Sequence, residues 1–317
     1  MLTIRDNGSE LIIKHFKDRK IEYAFHDIDG THSLIREWQP VMSICLYDVI
    51  ENGLPMDFDS YENVQRLISL TGSRGLPETD NFCVESAGLS ALTQMEWAIR
   101  RAVQEGKIKV HCNEETNASI IERINNGEEY YDDLPETVEM SDMLKIQTPR
   151  LFKLYESVLN GYCRDKNLLL AKENPKAFQV KGSPEFLKLL KENGVKNYFV
   201  TGAVVEKGMG MHEEVEALGY KIGKDELIED IIGSTWTEKK PKDAVMRDLI
   251  SQLGVKGETV LVVGDGRAEI QAGVDLGAIV ISRLPQNAVY QRGLHKKLGT
   301  NVIVEDFTNQ KFLELFE

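Results

Sequence analysis

Tyr23-Ala24-Phe25-His26-Asp27-Ile28-Asp29-Gly30-Thr31 is the stretch on which the reading of this chain turns. Its apolar run predicts a buried strand from Tyr23 to Asp27, and the Gly-Thr that follows predicts a tight turn. Side chains alternate along a strand and splay where the backbone turns, so Asp27 and Asp29 can address one site while doing different jobs. Carboxylates this close repel unless a cation or a proton lies between them. The pattern points to metal-assisted chemistry at the C-terminal end of a strand. His26 alternates with Asp27, so it is expected on the other side of the strand in a packing role.

Working outward, the chain from about Lys181 onward reads as regular α/β. Ser183-Pro184 predicts a helix start, with Ser as N-cap and Pro at the first helical position, and Gly194 predicts its end. Tyr198 to Thr201, Thr259 to Val263, Ala278 to Ile281 and Val302 to Val304 read as short buried strands. Between them, Met211 to Leu218, Pro241 to Leu253 and Ala268 to Leu276 read as helices. Strands alternating with helices imply a parallel sheet covered on both faces.

The strand at Tyr23 belongs with these by type but lies far upstream. From Ser33 to roughly Pro175 the periodicity is almost purely helical, as in Val41 to Ile50, Tyr61 to Leu70, Ala87 to Gln104 and Met143 to Cys163. One domain is therefore read as inserted into another just after the first strand. Within the insertion, Glu128 to Asp142 carries seven acids and no Lys or Arg, which reads as a solvated loop and helix start.

The chain has 317 residues, 42% hydrophobic and 28% charged, ordinary values for a globular protein with a substantial core. A net charge of -13 argues against binding nucleic-acid phosphates. It leaves room for a small phosphorylated substrate, because a bound cation and a few local bases can reverse the field inside a cleft. Cys45, Cys83, Cys112 and Cys163 are far apart with no CxxC pair, as expected of reduced thiols. No signal peptide is visible and no apolar run approaches the roughly 18 residues that a membrane span needs. The expected location is cytoplasmic, with no membrane partner.

Three further segments carry suitable chemistry. Phe199-Val200-Thr201-Gly202 puts a hydroxyl and approachable backbone amides at an expected strand end, suited to an oxyanion. Glu238-Lys239-Lys240-Pro241 puts lysines at a helix start, where the dipole disfavours them unless an anion is near. In Val262-Val263-Gly264-Asp265-Gly266-Arg267-Ala268-Glu269 an apolar strand again ends in a carboxylate, with a second acid four residues on. In an open parallel sheet the ligand crevice lies outside the carboxyl ends of the strands, where these groups converge. Hard oxygen donors without a His or Cys cluster point to Mg²⁺.

In that order, Asp27-Ile28-Asp29-Gly30-Thr31, Thr201, Lys240-Pro241 and Gly264 to Glu269 resemble the haloacid dehalogenase (HAD) superfamily in its phosphatase branch. Lys181-Gly182-Ser183-Pro184-Glu185-Phe186-Leu187 and Asn193-Gly194-Val195 resemble the phosphoglycolate-phosphatase type of core. The resemblance covers about residues 21–32 and 180–305. It implies an α/β fold, a Rossmannoid parallel sheet covered by helices, formed by 1–32 and 180–317. It also implies a large all-helical cap in the C1 position, residues 33–179, acting as a lid.

By this resemblance Asp27 is the nucleophile that forms an aspartyl-phosphate, and Asp29 is the general acid and base. Thr201 and Gly202 bind the phosphoryl group, and Lys240 offsets charge on Asp27 and the phosphate. Lys240 is preferred over Lys239 because Pro241 follows it. Asp27, Asp29 (through its carbonyl), Asp265 and Glu269 form the Mg²⁺ site. Glu269 stands where the family usually has aspartate, so its metal contact is direct or through water. An acid at Asp29 suits an alkoxide leaving group rather than a halide. The expectation is a Mg²⁺-dependent phosphate-ester hydrolase of a small phosphorylated metabolite, monomeric or homodimeric. The alternatives are a phosphomutase of the same fold and, from another class, a phospho-accepting or non-catalytic regulatory protein. Arg74, in the polar turn Thr71 to Pro77, is a candidate for a second anionic group of the substrate, or simply part of an interhelical loop.

Overall fold

The computed structural model describes residues 2–6, 9–13, 19–35, 38–236 and 240–317, the first two segments as backbone alone. Lys239, one of the two lysines weighed above, lies outside the described residues. The described chain divides into two compact units, one of Met1–Ile35, Leu168–Thr235 and Lys240–Glu317, the other of Arg36–Asn167 and Trp236–Lys239.

The first unit is built on a sheet. Its strands among the described residues are β1 (Leu2–Asp6), β2 (Ser9–Ile13), β3 (Tyr23–His26), β4 (Lys196–Glu206), β5 (Met209–Gly210), β6 (Asp230–Ser234), β7 (Val260–Gly264), β8 (Ile279–Arg283) and β9 (Val302–Val304). Their order is β1-β2-β9-β8-β7-β3-β4-β5, with β6 also on β4. β3 lies between β7 and β4 and runs parallel to both, with His26 opposite Val263 and Phe199. That central place explains a strand with no solvent-facing alternation, since both faces are covered. The parallel run continues through β7, β8 and β9.

Two features differ from the sequence reading. The N-terminal residues form a β1–β2 hairpin that joins β9 antiparallel, an element whose short segments carried no distinctive pattern. β4 is also longer than expected, because the β-branched pair Val204-Val205 carries it past Thr201 to Glu206.

Alternation within the strands splits the core in two. Phe25, Val262 and Val280 pack with Val245, Met246, Leu249 and Ile270 from helices Lys242–Leu253 and Arg267–Asp275. Ala24, Leu261, Val263 and Ile281 face the opposite way, against Phe186, Leu190, Phe307 and Phe312. Helix Ser183–Glu192 begins one residue earlier than read. Gly182, at φ +76°, is its N-cap, so Ser183 is the first helical residue and its hydroxyl is released for other partners. The chain enters and leaves the helical insertion side by side: Leu34 N–H donates to Phe178 O at 2.7 Å and Val180 N–H to His32 O at 3.2 Å.

The second unit is helical throughout its regular structure among the described residues. Helix Trp38–Asn52 is almost wholly buried, through Val41, Met42, Ile44, Cys45, Leu46, Val49 and Ile50. Ser60, Asn113 and Thr137 cap the helices that follow them, each side chain accepting from the backbone N–H three residues on. The helix read as Ala87 to Gln104 runs Ala91–Gln104, and the one read as Met143 to Cys163 is Val138–Leu159 followed by a π-turn, Asn160–Arg164. The acidic segment is not wholly solvated. Glu129 is buried and accepts from Thr93 Oγ1 at 2.5 Å and Ser90 N at 3.0 Å, and Glu136 pairs with buried Arg100 at 2.7 Å. Among the described residues no helix is long and apolar enough to cross a membrane.

Candidate active site

The end of β3 sets the site. Asp27 N–H donates to Val263 O at 2.8 Å, the last step of the ladder before the chain turns. The turn closes on one acceptor: Ile28 O receives the N–H groups of Thr31, His32 and Ser33 at 3.2, 2.9 and 2.9 Å. Gly30 sits inside it at φ +76°, and a Cβ there would stand 2.2 Å from Asp265 Oδ2. Glycine thus serves both the left-handed turn and the close approach of Asp265. Gly264 makes room in the same way for Glu269, whose Cγ would lie 2.3 Å from an added Cβ.

Asp27, Asp265 and Glu269 each offer an oxygen within 4.8 Å of the others. Glu269 Oε1 accepts Gly266 N–H at 2.5 Å, closing the helix N-terminus, and its Oε2 lies 3.1 Å from Lys242 Nζ. Lys242 Nζ also donates to Asp27 Oδ1 at 2.5 Å, with its side chain only 4% exposed. Thr31 Oγ1 stands between the acids, 3.4 Å from Asp27 Oδ2 and 3.3 Å from Asp265 Oδ1, and can donate its single proton to one at a time. Arg283 donates to Gly30 O at 2.8 Å and to Glu305 O at 2.9 Å, clamping the turn from outside.

The electrostatics follow from this crowding. Burial pushes the Asp27 carboxyl up to about 6, against the pull of Lys242. Burial, then the charges of Asp27 and Glu269, hold Asp265 well above the usual carboxylate range. Glu269 is buried too, but Lys242 and the Gly266 amide outweigh that and keep it below its ordinary value. Lys242 is also buried, yet Asp27 and Glu269 together raise it. The lysine is therefore a fixed cation, and protons are shared mainly between Asp27 and Asp265.

The lysine expected beside Asp27 was Lys240; the one found there is Lys242. Lys240 N–H donates to Ser234 Oγ at 3.1 Å, which keeps the chain extended until the helix starts. Lys242 is the first helical residue, and a side chain there leans back toward the helix N-terminus and the strand ends. The sequence reading considers only Lys239 and Lys240 and follows the Lys-Pro pair, whereas helix geometry brings in Lys242, which that reading leaves out. Thr31 and Arg283 were also missed as site residues. Thr31 was visible in the opening motif, while nothing local distinguishes Arg283.

Thr201 and Gly202 are inside β4, not at its end. The register with β6 shifts between Val200 and Val204, and Thr201 Oγ1 accepts Ala203 N–H at 3.1 Å in the bulge. Asp29 is half-buried in the turn beside Asp27 and outside the three-carboxylate cluster. Its charge is one of the contributions raising Asp27. Arg74 belongs to the helical unit, its guanidinium 5.0 Å over the Tyr47 ring.

The family described as haloacid dehalogenase-like hydrolase matches residues 84–277. That span includes Thr201, Lys242, Asp265 and Glu269 and begins downstream of Asp27. No curated protein matches the chain. Solved structures are similar at low identity. A protein assigned as a phosphoglycolate phosphatase from Lactobacillus delbrueckii subsp. bulgaricus is 16% identical, with 94% of this chain and 98% of that one covered and a TM-score of 0.49. A beta-phosphoglucomutase from Clostridium difficile is 13% identical, covering 93% and 97%, TM-score 0.46. A phosphonoacetaldehyde hydrolase like protein from Oleispira antarctica is 13% identical, covering 100% and 96%, TM-score 0.48.

Proposed function

The chain belongs to the haloacid dehalogenase-like hydrolase family, and from that premise we propose that it hydrolyses the phosphoric monoester of a small metabolite through a phosphorylated Asp27. The observation that carries this reading is Asp27 itself, buried at a central strand end and paired with Lys242 beside Asp265 and Glu269.

Asp27 supplies the attacking oxygen. Its bond to phosphorus forms as the ester P–O bond breaks, and Asp29 gives its proton to the departing alkoxide. Water then attacks phosphorus and loses its proton to the Asp29 carboxylate. The acyl-phosphate P–O bond breaks, releasing phosphate and restoring Asp27. Lys242 neutralises charge on Asp27 and the phosphoryl group throughout. Thr31 steadies whichever acid is ionised, and the Arg283–Gly30 contact keeps the turn in place.

The donor set fits a hard divalent cation, since three carboxylates converge and His26 is turned away. Asp27, Asp265 and the Asp29 carbonyl are the groups assigned to Mg²⁺. Glu269 has both oxygens engaged by Lys242 and Gly266, so its part is to hold Lys242. Bound there, Mg²⁺ would neutralise charge on the phosphoryl oxygens. The helical unit is read as the cap that selects the substrate.

A panel of small phosphate esters, with p-nitrophenyl phosphate as the generic member, should release phosphate in Mg²⁺, with the activity lost in Asp27→Asn. No turnover across the panel refutes the reading, and isomerised sugar phosphate in place of free phosphate moves it to a mutase.

A further inference from the structure

His26 does more than fill space behind the nucleophile. A continuous buried chain runs from it in both directions. His26 Nε2 is 3.1 Å from Asn197 Oδ1, and His26 Nδ1 is 3.0 Å from His32 Nε2. His32 Nδ1 is 2.6 Å from Ser183 Oγ, which is 2.6 Å from the Tyr220 hydroxyl. The His26, His32 and Ser183 side chains are fully buried.

The direction of every bond is decided at one end. Asn197 Nδ2 donates to Leu187 O at 3.0 Å and Leu227 O at 3.2 Å, so its Oδ1 must be the atom facing His26. An amide oxygen only accepts, so His26 Nε2 carries a proton. The ring lies among Phe186, Phe199 and His32, with no carboxylate in the chain to support a cation. Both rings are fully buried, where a cation without a paired carboxylate is costly, so both are neutral. A neutral His26 accepts at Nδ1, so His32 Nε2 donates. His32 then accepts at Nδ1, so Ser183 donates, and Tyr220, kept protonated by burial, donates to Ser183. Both histidines are Nε2–H tautomers, and all the protons point the same way.

We propose that His26 and His32 are positioning residues, joined in a one-way hydrogen-bond chain anchored at Asn197 and Ser183 that fixes the turn presenting Asp27 and Asp29. The assignment rests on Asp27 and Asp29 as the reacting acids. The geometry supports it at both ends of the turn. His26 adjoins Asp27 directly. His32 N–H closes the turn on Ile28 O, its carbonyl accepts Val180 N–H, and its ring stacks on Phe307 at 5.1 Å. Ser33 Oγ, next in line, donates to buried Glu214 at 2.6 Å. A reversed tautomer at either histidine would set two donors or two acceptors face to face and displace the turn.

Ser183→Ala tests this from two links away without touching Asp27. In the wild-type protein the ¹⁵N spectra of both rings should show Nε2–H tautomers. In Ser183→Ala the His26 ring signals should move, and the Thr31, His32 and Ser33 amides should exchange at least about tenfold faster as the turn loosens. Under the hydrolase reading kcat should fall about ten- to a hundredfold, with KM held within about twofold, because positioning rather than binding is lost. A wild-type Nδ1–H tautomer at either ring, or His26 signals and amide exchange unchanged in Ser183→Ala, overturns the proposal. Absence of turnover in the wild type overturns the hydrolase reading instead, and the spectra and exchange rates still decide the chain.

Discussion

Replacing Lys242 by methionine separates the ion-paired lysine from its neighbour in the sequence. Lys242 Nζ lies 2.5 Å from Asp27 Oδ1 and 3.1 Å from Glu269 Oε2. At an effective dielectric of about 20, attraction at these distances is on the order of 5–7 kcal/mol per contact before desolvation is counted. The lysine's own desolvation offsets much of this, but removing it leaves two buried acids facing each other. Breaking such a pair from one side typically costs about 3–5 kcal/mol, and that is the expected loss in urea unfolding of Lys242→Met. Part of it should return in Lys242→Met/Glu269→Gln, where one uncompensated charge has been deleted, with a coupling of about 1–3 kcal/mol. The kinetic sign is also fixed. Lys242 pulls Asp27 down against burial, so its loss lets Asp27 rise above about 6 and leaves less of the proposed nucleophile ionised at pH 7. The acid limb of the pH–rate profile should move to higher pH, and kcat/KM should fall by at least about a hundredfold. Lys240→Met should remain within about 0.5 kcal/mol of the parent and within about twofold in rate. If Lys240→Met suffers the large losses and Lys242→Met does not, the assignment of the lysine is wrong.

Gly30→Ala should lower stability by about 1–2 kcal/mol through its left-handed φ and cut turnover more than tenfold by pushing Asp265 aside, checked by thermal melts and steady-state rates. His295, buried with Nδ1 at 2.9 Å from Ser282 Oγ, is held down to about 4 by burial. A base depressed in the folded state is protonated first on unfolding, so its stabilising share is complete above about pH 6.5 and is lost as pH falls toward 4. Between pH 7 and pH 5 the expected loss is about 2 kcal/mol, and His295→Gln should abolish that part of the pH dependence in urea titrations. In the helical unit, Arg100→Met strands Glu96 and Glu136, which it holds at 2.8 and 2.7 Å, and should cost about 3–5 kcal/mol in unfolding measurements. A loss below about 1 kcal/mol would refute the reading of Arg100 as their buried counter-charge.

The sequence was most legible where one residue type had to serve one backbone demand. The run from Tyr23 to Asp27 reads as a strand buried on both faces because β3 is central, and Gly30 reads as a turn because it is one. Val262 to Asp265 was equally plain, since an apolar strand that stops at Gly-Asp-Gly has few other solutions. Legibility failed where the decision belonged to tertiary contacts. Nothing in Lys240 or Lys242 says which one faces the strand ends; the helix register decides, and that depends on Ser234 holding Lys240 back. Thr201 looked terminal because Gly202 follows it, yet a bulge lets β4 continue through both. Ser183 looked like an N-cap by composition, but Gly182 takes that position and frees the hydroxyl for His32. Half of the chemistry at Asp27 was thus written locally, and the other half in side chains brought from over 200 residues away in sequence.

The charge balance connects these particulars. Asp27, Asp265 and Glu269 are drawn together around one buried ammonium, and that is more negative charge than Lys242 can offset. The protein meets the excess by letting Asp27 and Asp265 keep protons more readily than ordinary carboxylates. A protonated Asp27 is a poor nucleophile, and a phosphoryl dianion brought to this cluster would add repulsion. Both difficulties would be removed by the same change, a hard cation taken up by these carboxylates in place of those protons. Glu269 is the exception that supports the point. It alone of the three is kept below its ordinary value, by Lys242 and the Gly266 amide, so its negative charge is permanent and its task is to hold the lysine. The cluster therefore divides into a fixed half, Lys242 with Glu269, and an exchangeable half, Asp27 with Asp265, and the substitution of a cation for protons in the exchangeable half is what would arm Asp27 at neutral pH.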